Sequence, residues 1–445
     1  MAAQLTLDGT AFRPRLASAL AEPSQRLAAA GKTGFGAGLM LGLRFLQARF
    51  LSVWGLLLAA ALCPAQVFAD FAIFSTLANF VAIAALLRFE AVFFQSNDRR
   101  RLGQAFRLAL ATGAVFLCGM TLAVLFAAAE GWVLRGFGAL FMISLASRAV
   151  IRLLVAEATA EGDFATVGNI NIVQALVQPG MMILLIWPLG ATSLALFAAD
   201  AFGHAVSACY LIWRRRHALI RLVNPPYWSR RELRASAARW RTAPRILLPS
   251  ALLSFGFMAA PLLALPLAGD PILAAHVALA MRLLEMPTQM FATVSVPLVM
   301  NTLRGQAGPD RQQATRIITL RLIVVAAALF AGIGLFAVAA DAVLDGTQWQ
   351  GIGPVVAALA LFYGGSALVM PLHEVATLSR YPHLQLVANA VALLAAGVVI
   401  LWFGKLSIVL LLAIGIISVA RMAAHVQFAW TGLGDEPFAA PAPTR

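Results

Sequence analysis

The stretch LLRFEAVFFQSNDRRR, residues 86–101, ends one apolar run and begins the next. The run it ends, roughly 67–94, exceeds the ~20 residues that a helix needs to cross a bilayer. Arg88 and Glu90 sit just inside that end, and a polar break leads to the block Arg99–Arg101. Intramembrane charge is costly, so a span closed by consecutive arginines reads as an anchored span end. Arg88 and Glu90 are two residues apart. On a continuous helix they point to different sides and are poorly placed to pair. Arg88 is then expected at the mouth of a polar interior, and Glu90 against an arginine of another helix or the membrane surface.

The rest of the chain repeats this pattern. Of 445 residues, 61% are hydrophobic and 12% are charged, and the mean hydropathy is +0.85. Soluble domains run at about 45–50% apolar and about 25% charged. The expected class is therefore an all-α polytopic membrane protein. The formal charge of +14 comes from 33 basic and 19 acidic residues. Bunched in short loops, the arginines set topology rather than contact nucleic acid, and no nucleic-acid partner is expected. The Ala- and Arg-rich usage suits a bacterial source. Cys63, Cys118 and Cys209 lie in or beside apolar runs and read as small hydrophobes. Residues 1–38 lack an early apolar core and a cleavage site, so they read as a cytoplasmic tail.

Twelve runs are long enough to span: roughly 39–62, 67–94, 104–129, 133–157, 167–187 and 190–213, then 244–266, 271–300, 317–340, 352–377, 382–403 and 405–430. With the N-terminus inside, the basic residues outside the spans fall in the inner segments, and the outer turns hold only Lys405. That asymmetry places both termini on the cytoplasmic side of a bacterial inner membrane. The expected organisation is a cytoplasmic tail (1–38), a six-helix lobe (39–213), a basic linker (214–243), a second six-helix lobe (244–430) and a C-terminal tail (431–445). Ten arginines crowd 214–245, where NPPYW (224–228) breaks any continuous helix and SRRELRASAARWR is suited to an amphipathic helix on an anionic surface. ADFAIFSTLANF (69–80) aligns in apolar rhythm with AHVALAMRLLEM (275–286). Such a match suggests parallel repeats about an axis along the membrane normal.

Charges inside the spans mark a bundle interior or a wet cavity. Arg148/Arg152, Asp200/His204 and Arg421/His425 are i,i+4 pairs and each shares a helix face; Arg282 and Glu285 are three apart and can bridge. Arg148 and Arg152 cannot neutralise each other, so they need an external anion or acids from other helices. Mid-span Arg49, Arg148, Asp200, Arg282 and Glu285 are read as cavity-lining. Arg44, Arg107, Arg135 and Arg321, near helix ends, are read as snorkelling. Prolines gather in the seventh span (Pro249, Pro261, Pro266) and the eighth (Pro287, Pro297), with Pro179-Gly180 in the fifth and Pro371 in the tenth. Proline weakens the helical ladder, so spans seven and eight are expected as moving parts. There is no Walker A lysine motif, HExxH, HxxxxD or GxSxG. No enzyme activity, cofactor or metal is expected.

Three stretches resemble bacterial polysaccharide flippases of the Wzx type, in the multidrug/oligosaccharidyl-lipid/polysaccharide exporter superfamily. LLRFEAVFFQSNDRRRLGQAFRLAL (86–110) is similar to the end of that family's second span and its basic third span. SRAVIRLLVAEATAEGDFATVGNINIVQALVQPG (147–180) looks like its fourth and fifth spans. ILAAHVALAMRLLEMPTQMF (272–291) looks like its eighth, with His276 and Val277 at Gly/Tyr-like positions and the basic residue kept at Arg282. The resemblance implies two six-helix lobes around a central cavity, lined by spans 1, 2, 7 and 8. Arg44, Arg49, Arg88, Arg282 and Glu285 would face the cavity, with Arg148 and Arg152 at its side. It implies an undecaprenyl-pyrophosphate-linked glycan as substrate, a bilayer setting and a polysaccharide polymerase machinery as a partner. Asp200, His204, Glu285 and Glu374 are candidates for ion coupling. The competing readings are a cation- or proton-coupled drug antiporter of the same superfamily and a membrane-embedded glycosyl- or acyltransferase. Arginine-rich spans and only four tyrosines tip the choice toward an anionic substrate, since arginine binds phosphate bidentately and stays charged when buried.

Overall fold

The computed structural model describes residues 51, 62–63, 65–95, 99–224, 228–267, 269, 271–304, 306, 308–346, 349–375, 379 and 381–432. Most of the expected first span, with Arg44 and Arg49, lies outside the described residues, as do the N-terminal tail and the end of the C-terminal tail.

Lipid offers no partner for backbone amides, so apolar runs of this length satisfy themselves as helices. The described chain is helical almost throughout. Helix α1 spans Ala65–Ala85 and is followed by a 3-10 segment, Phe89–Gln95. Then come α2 (Arg99–Ala129), α3 (Arg135–Ala160), α4 (Phe164–Leu189) and α5 (Ser193–Arg214). Two short helices, α6 (Arg216–Leu222) and α7 (Arg230–Arg239), occupy the basic linker. Past a π-helical turn over Ala243–Leu247 lie α8 (Leu248–Met258) and α9 (Ala260–Leu263). The last five helices are α10 (Pro271–Arg304), α11 (Gly308–Asp341), α12 (Ile352–Val375), α13 (Pro382–Phe403) and α14 (Ile408–Thr431). Among the described residues nine helices are long and apolar enough to cross a membrane, with shorter apolar helices over Phe74–Ala85 and Ala243–Met258.

Side-chain oxygens at Asp163, Thr192 and Ser407 accept from backbone amides of the first turns of α4, α5 and α14, satisfying donors that a helix start leaves open. Gly404, at φ 60°, closes α13 in the left-handed conformation that glycine adopts without strain.

The helices pack in two groups. In the first, α5 lies against α3 and α4, and α1 packs on α3 and α5. Phe74, Phe137, Phe141 and Phe197 form its aromatic core, with the Phe74 and Phe197 rings stacked at 4.5 Å. In the second group α12 is the central helix, flanked by α10, α11 and α14, while α13 packs on α8 and α14. Gly365 makes the α12–α14 contact close: a Cβ there would meet the Ser418 backbone at 3.0 Å. Across the seam α1 touches α8, where Phe80 and Phe255 stand 5.6 Å apart, and the 3-10 segment touches α10 and the π-helical turn. Large apolar side chains such as Trp187, Leu401 and Trp402 are exposed on the outside, as a lipid-facing surface requires.

Three local features depart from expectation. The last nine residues of the second apolar run, 86–94, do not continue α1: the chain leaves the helix at 86–88, with Leu87 and Arg88 at φ 50° and 62°, a region that side-chain-bearing residues seldom occupy. The seventh span is divided at its prolines, with Pro249 in the first turn of α8, Pro261 in α9 and Pro266 in a 3-10 turn. The eighth runs unbroken through Pro287 and Pro297. Arg107 does not snorkel: it is buried and donates to the Leu222 carbonyl of α6 at 3.2 Å, because the linker folds back over this end of the bundle and offers a nearer acceptor than water.

Candidate functional site

Six of the predicted residues, Arg148, Asp200, His204, Arg88, Arg152 and Glu374, gather into two clusters, and a third polar cluster sits in the second helix group. The first lies between α1, α3, α4 and α5. Arg148 on α3 forms a two-pronged pair with Asp200 on α5, Nη2 donating to Oδ1 and Oδ2 at 3.0 and 2.9 Å. Ser144 donates to Asp200 Oδ2 at 2.8 Å and Gln178 donates to Oδ1 at 3.2 Å. Arg148 also donates to Ser144, Asn79 and Ser75. Gly203 permits the Gln178 contact, since a Cβ there would come within 2.9 Å of the Gln178 Cβ. His204, one turn beyond Asp200, bonds the Asp200 carbonyl through Nδ1 at 2.9 Å and Gln174 through Nε2 at 3.0 Å. That pairing fits the tautomer with its proton on Nδ1. Asp200 is wholly buried and Arg148 nearly so. Of the two remedies the sequence left open for Arg148, the fold supplies an acid from another helix.

The second cluster lies on the seam. Arg88 reaches Glu374 at the end of α12, Nη2 to Oε1 at 2.6 Å, 286 residues away in the chain. It also pairs with Glu90 at 3.5 Å, which corrects the expectation that these two point apart. The reason is the backbone: the left-handed turn at 87–88 and the 3-10 segment after it replace the helical register on which that expectation rested. Arg152, one turn below Arg148, donates to Glu90 at 3.1 Å, as expected of an arginine from another helix. The four groups alternate in charge, Arg152–Glu90–Arg88–Glu374, and tie α3 to α12 through the strained turn.

The third cluster is one that the sequence did not rank. Arg421 and His425, both on α14, donate to or share the same oxygen, Asn389 Oδ1 of α13, at 2.8 and 3.1 Å. Arg421 also donates to Ser254 of α8, and its guanidinium lies 4.7 Å over the Phe257 ring. Asn389 in turn donates to Ser250 at 2.8 Å.

Glu285 lies on α10 and accepts from Gln289 at 2.8 Å. Arg282 occupies the same helix. At the arginine-rich end of the first group a cavity of about 690 Å³ opens between α2, α3, α6 and α7. There Arg215 is held by Glu157 at 2.5 Å and Asp163 at 3.1 Å. Burial alone would lower the Arg215 guanidinium, but those two carboxylates raise it above its ordinary value. Among the described residues no group of three His, Cys, Asp or Glu side chains is placed to hold a metal ion.

No protein-family model matches the sequence, and no curated protein matches it. The arrangement of helices does have counterparts among solved structures. A MATE mutant matches with a TM-score of 0.61 at 14% identity, over 88% of this chain and 95% of that one. The fold is that of the MATE transporters. A multidrug resistance MATE family transporter of the MOP superfamily, in an outward-facing conformation, matches at 0.59 and 13% identity, over 89% and 94%. A MOP superfamily transporter from Pyrococcus furiosus, with a binding pocket of reverse polarity, matches at 0.59 and 14%, over 88% and 94%. At these identities the likeness is one of MATE fold. It places the chain in a twelve-helix polytopic class, as the twelve apolar runs led one to expect.

What the residue-level reading missed in this MATE fold is the neutral polar set: Asn79, Ser144, Gln178, Ser254 and Asn389. Each is an uncharged polar side chain inside an apolar run, a signal visible in the sequence once charges alone are not the search criterion.

Proposed function

We propose that this protein moves an undecaprenyl-pyrophosphate-linked oligosaccharide from the inner to the outer leaflet of a bacterial inner membrane, by alternating access of two six-helix lobes. The observation that carries the reading is the seam cluster. Arg88 and Arg152 are held between the two helix groups by Glu90 and Glu374, rather than locked into the core of either. Arginines at a seam can exchange carboxylate partners for the oxygens of a pyrophosphate, which match the guanidinium fork. The same exchange would break the Arg88–Glu374 link between the groups and free them to move. The cluster lies at the arginine-rich end, which the positive-inside rule puts at the cytoplasmic face, where the lipid-linked substrate is made. The sequence resemblance to Wzx-type flippases supports the same substrate class, and a polymerase acting on the exported glycan is the partner this role requires.

A second reading has its own support. Arg148 is fully engaged by Asp200, and a buried acid beside a histidine suits proton coupling in a drug antiporter. A deletion strain separates the two. The flippase reading expects loss of surface polysaccharide and accumulation of a lipid-linked intermediate on the cytoplasmic side. Unchanged polysaccharide with heightened sensitivity to cationic drugs would replace it with the antiporter.

A further inference from the structure

The second helix group buries a guanidinium and, among the described residues, provides no carboxylate for it. Arg421 is 4% exposed. Its partners are Asn389, Ser254 and the face of Phe257, all uncharged. Four other buried or half-buried arginines have acids: Arg148 has Asp200, Arg152 has Glu90, Arg88 has Glu90 and Glu374, and Arg215 has Glu157; Arg107 and Arg311 instead donate to the backbone carbonyls of Leu222 and Gln306. Arginine does not shed its proton to escape burial, and a buried charge without a counter-charge is costly.

Buried polar nitrogens without a hydrogen-bond partner collect around the same residue. Arg421 Nη1 has no hydrogen-bond partner, nor does His425 Nδ1, nor either ring nitrogen of His373. All three side chains are more than nine-tenths buried, and the His373 and His425 rings stand 6.3 Å apart. Arg421 and His425 share a face of α14 and grip one oxygen of Asn389, while α12 brings His373 to them. The nearest charges along the chain from His373 are balanced already, because Glu374 is paired with Arg88.

We propose that Arg421 and His373 hold a small monovalent anion, of halide or nitrate size, beside His425 inside the second helix group. Arg421 Nη1 supplies the positive charge and two N–H donors. His373 supplies one N–H in either tautomer. The ion is small because the site is closed: side chains exposed by 6% or less admit no phosphate or carboxylate carried on a larger molecule. This inference goes beyond the transport reading and does not depend on what the protein carries. It makes the anion a structural counter-ion, and one whose release would leave the half destabilised.

The test uses the full chain purified in lipid nanodiscs and follows intrinsic tryptophan fluorescence during heating. Sodium gluconate is replaced stepwise by sodium chloride or sodium bromide at constant ionic strength. A bound ion gives a saturable rise in the unfolding midpoint, as linkage requires. H373N should shift the half-saturating concentration up by about tenfold, the cost of one hydrogen bond to a charge. R421Q should abolish the rise, and R321Q, at an exposed position on α11, should keep it. Equal midpoints in chloride, bromide and gluconate would overturn the proposal, and so would a rise that R421Q retains. If R421Q does not accumulate, crystals of the unaltered chain grown in bromide decide: an anomalous peak within hydrogen-bonding distance of Arg421 Nη1 supports the site, and its absence there sinks it.

Discussion

The last helix of each group carries a charged residue and a histidine one turn later, and the two pairs differ in sign. On α5 they are Asp200 and His204; on α14 they are Arg421 and His425. In the first group the charge is answered within the fold. Arg148 crosses from α3 to meet Asp200 with two hydrogen bonds, and serine and glutamine fill the remaining acceptor sites. In the second group the only answers among the described residues are amide, hydroxyl and aromatic ring. The two helix groups thus solve the burial of an arginine differently. One is a closed ion pair. The other is a cation awaiting a counter-ion.

The most forceful way to break this contrast is to make the first group resemble the second. D200N leaves Arg148 buried among neutral partners and should cost about 3–5 kcal/mol of stability, read from unfolding in detergent. Adding R148Q should recover much of the loss, because the two positions act as one pair. The single variant should also gain a dependence on chloride that the parent's first group lacks. Full stability of D200N would show that the pair is not what holds this region. The reverse change is expected to be gentler. N389D places a carboxylate against Arg421 and should remove the chloride dependence of unfolding, at about 1–3 kcal/mol for the donor that Ser250 loses. A persistent chloride effect in N389D would mean the ion binds elsewhere.

The seam lies between these two centres, and its partly exposed pair offers a smaller effect. E374Q removes one partner of the Arg88 link and leaves Glu90 in place. It should shift the balance of conformations by about tenfold, equivalent to ~1.4 kcal/mol, seen as altered labelling of cysteines placed on either side of the seam. Unchanged labelling would leave the link without a gating role. The least effect is expected at the arginine block. Arg99 is 84% exposed and 3.9 Å from Glu161, so R99A should change stability by less than about 0.5 kcal/mol. A larger loss would make that surface a structural element rather than a topology signal.

Much of the fold was legible because lipid imposes a length and an internal hydrogen-bond pattern on any spanning segment. The runs around α2 to α5 and α10 to α14 could be marked out from apolar residues alone. The i,i+4 spacing also placed Asp200 with His204 and Arg421 with His425 correctly. The pairing partners were not legible. Arg148 and Asp200 are 52 residues apart, and Arg88 and Glu374 are 286 apart. Each contact depends on which helix faces which. Arg88 and Glu90 show the limit at short range: helical register separates them, and two left-handed residues bring them together.

The amino-acid sequence by itself determined that this chain is a bundle of membrane-length helices with arginines buried inside it, because hydrophobic run length and the cost of charge in lipid are properties of residues in order along a chain. Only the tertiary structure decided which of those arginines is neutralised. That outcome turns on a carboxylate arriving from a distant helix within about 3 Å, and Coulomb attraction at that range depends on position in space, which spacing along the chain does not encode.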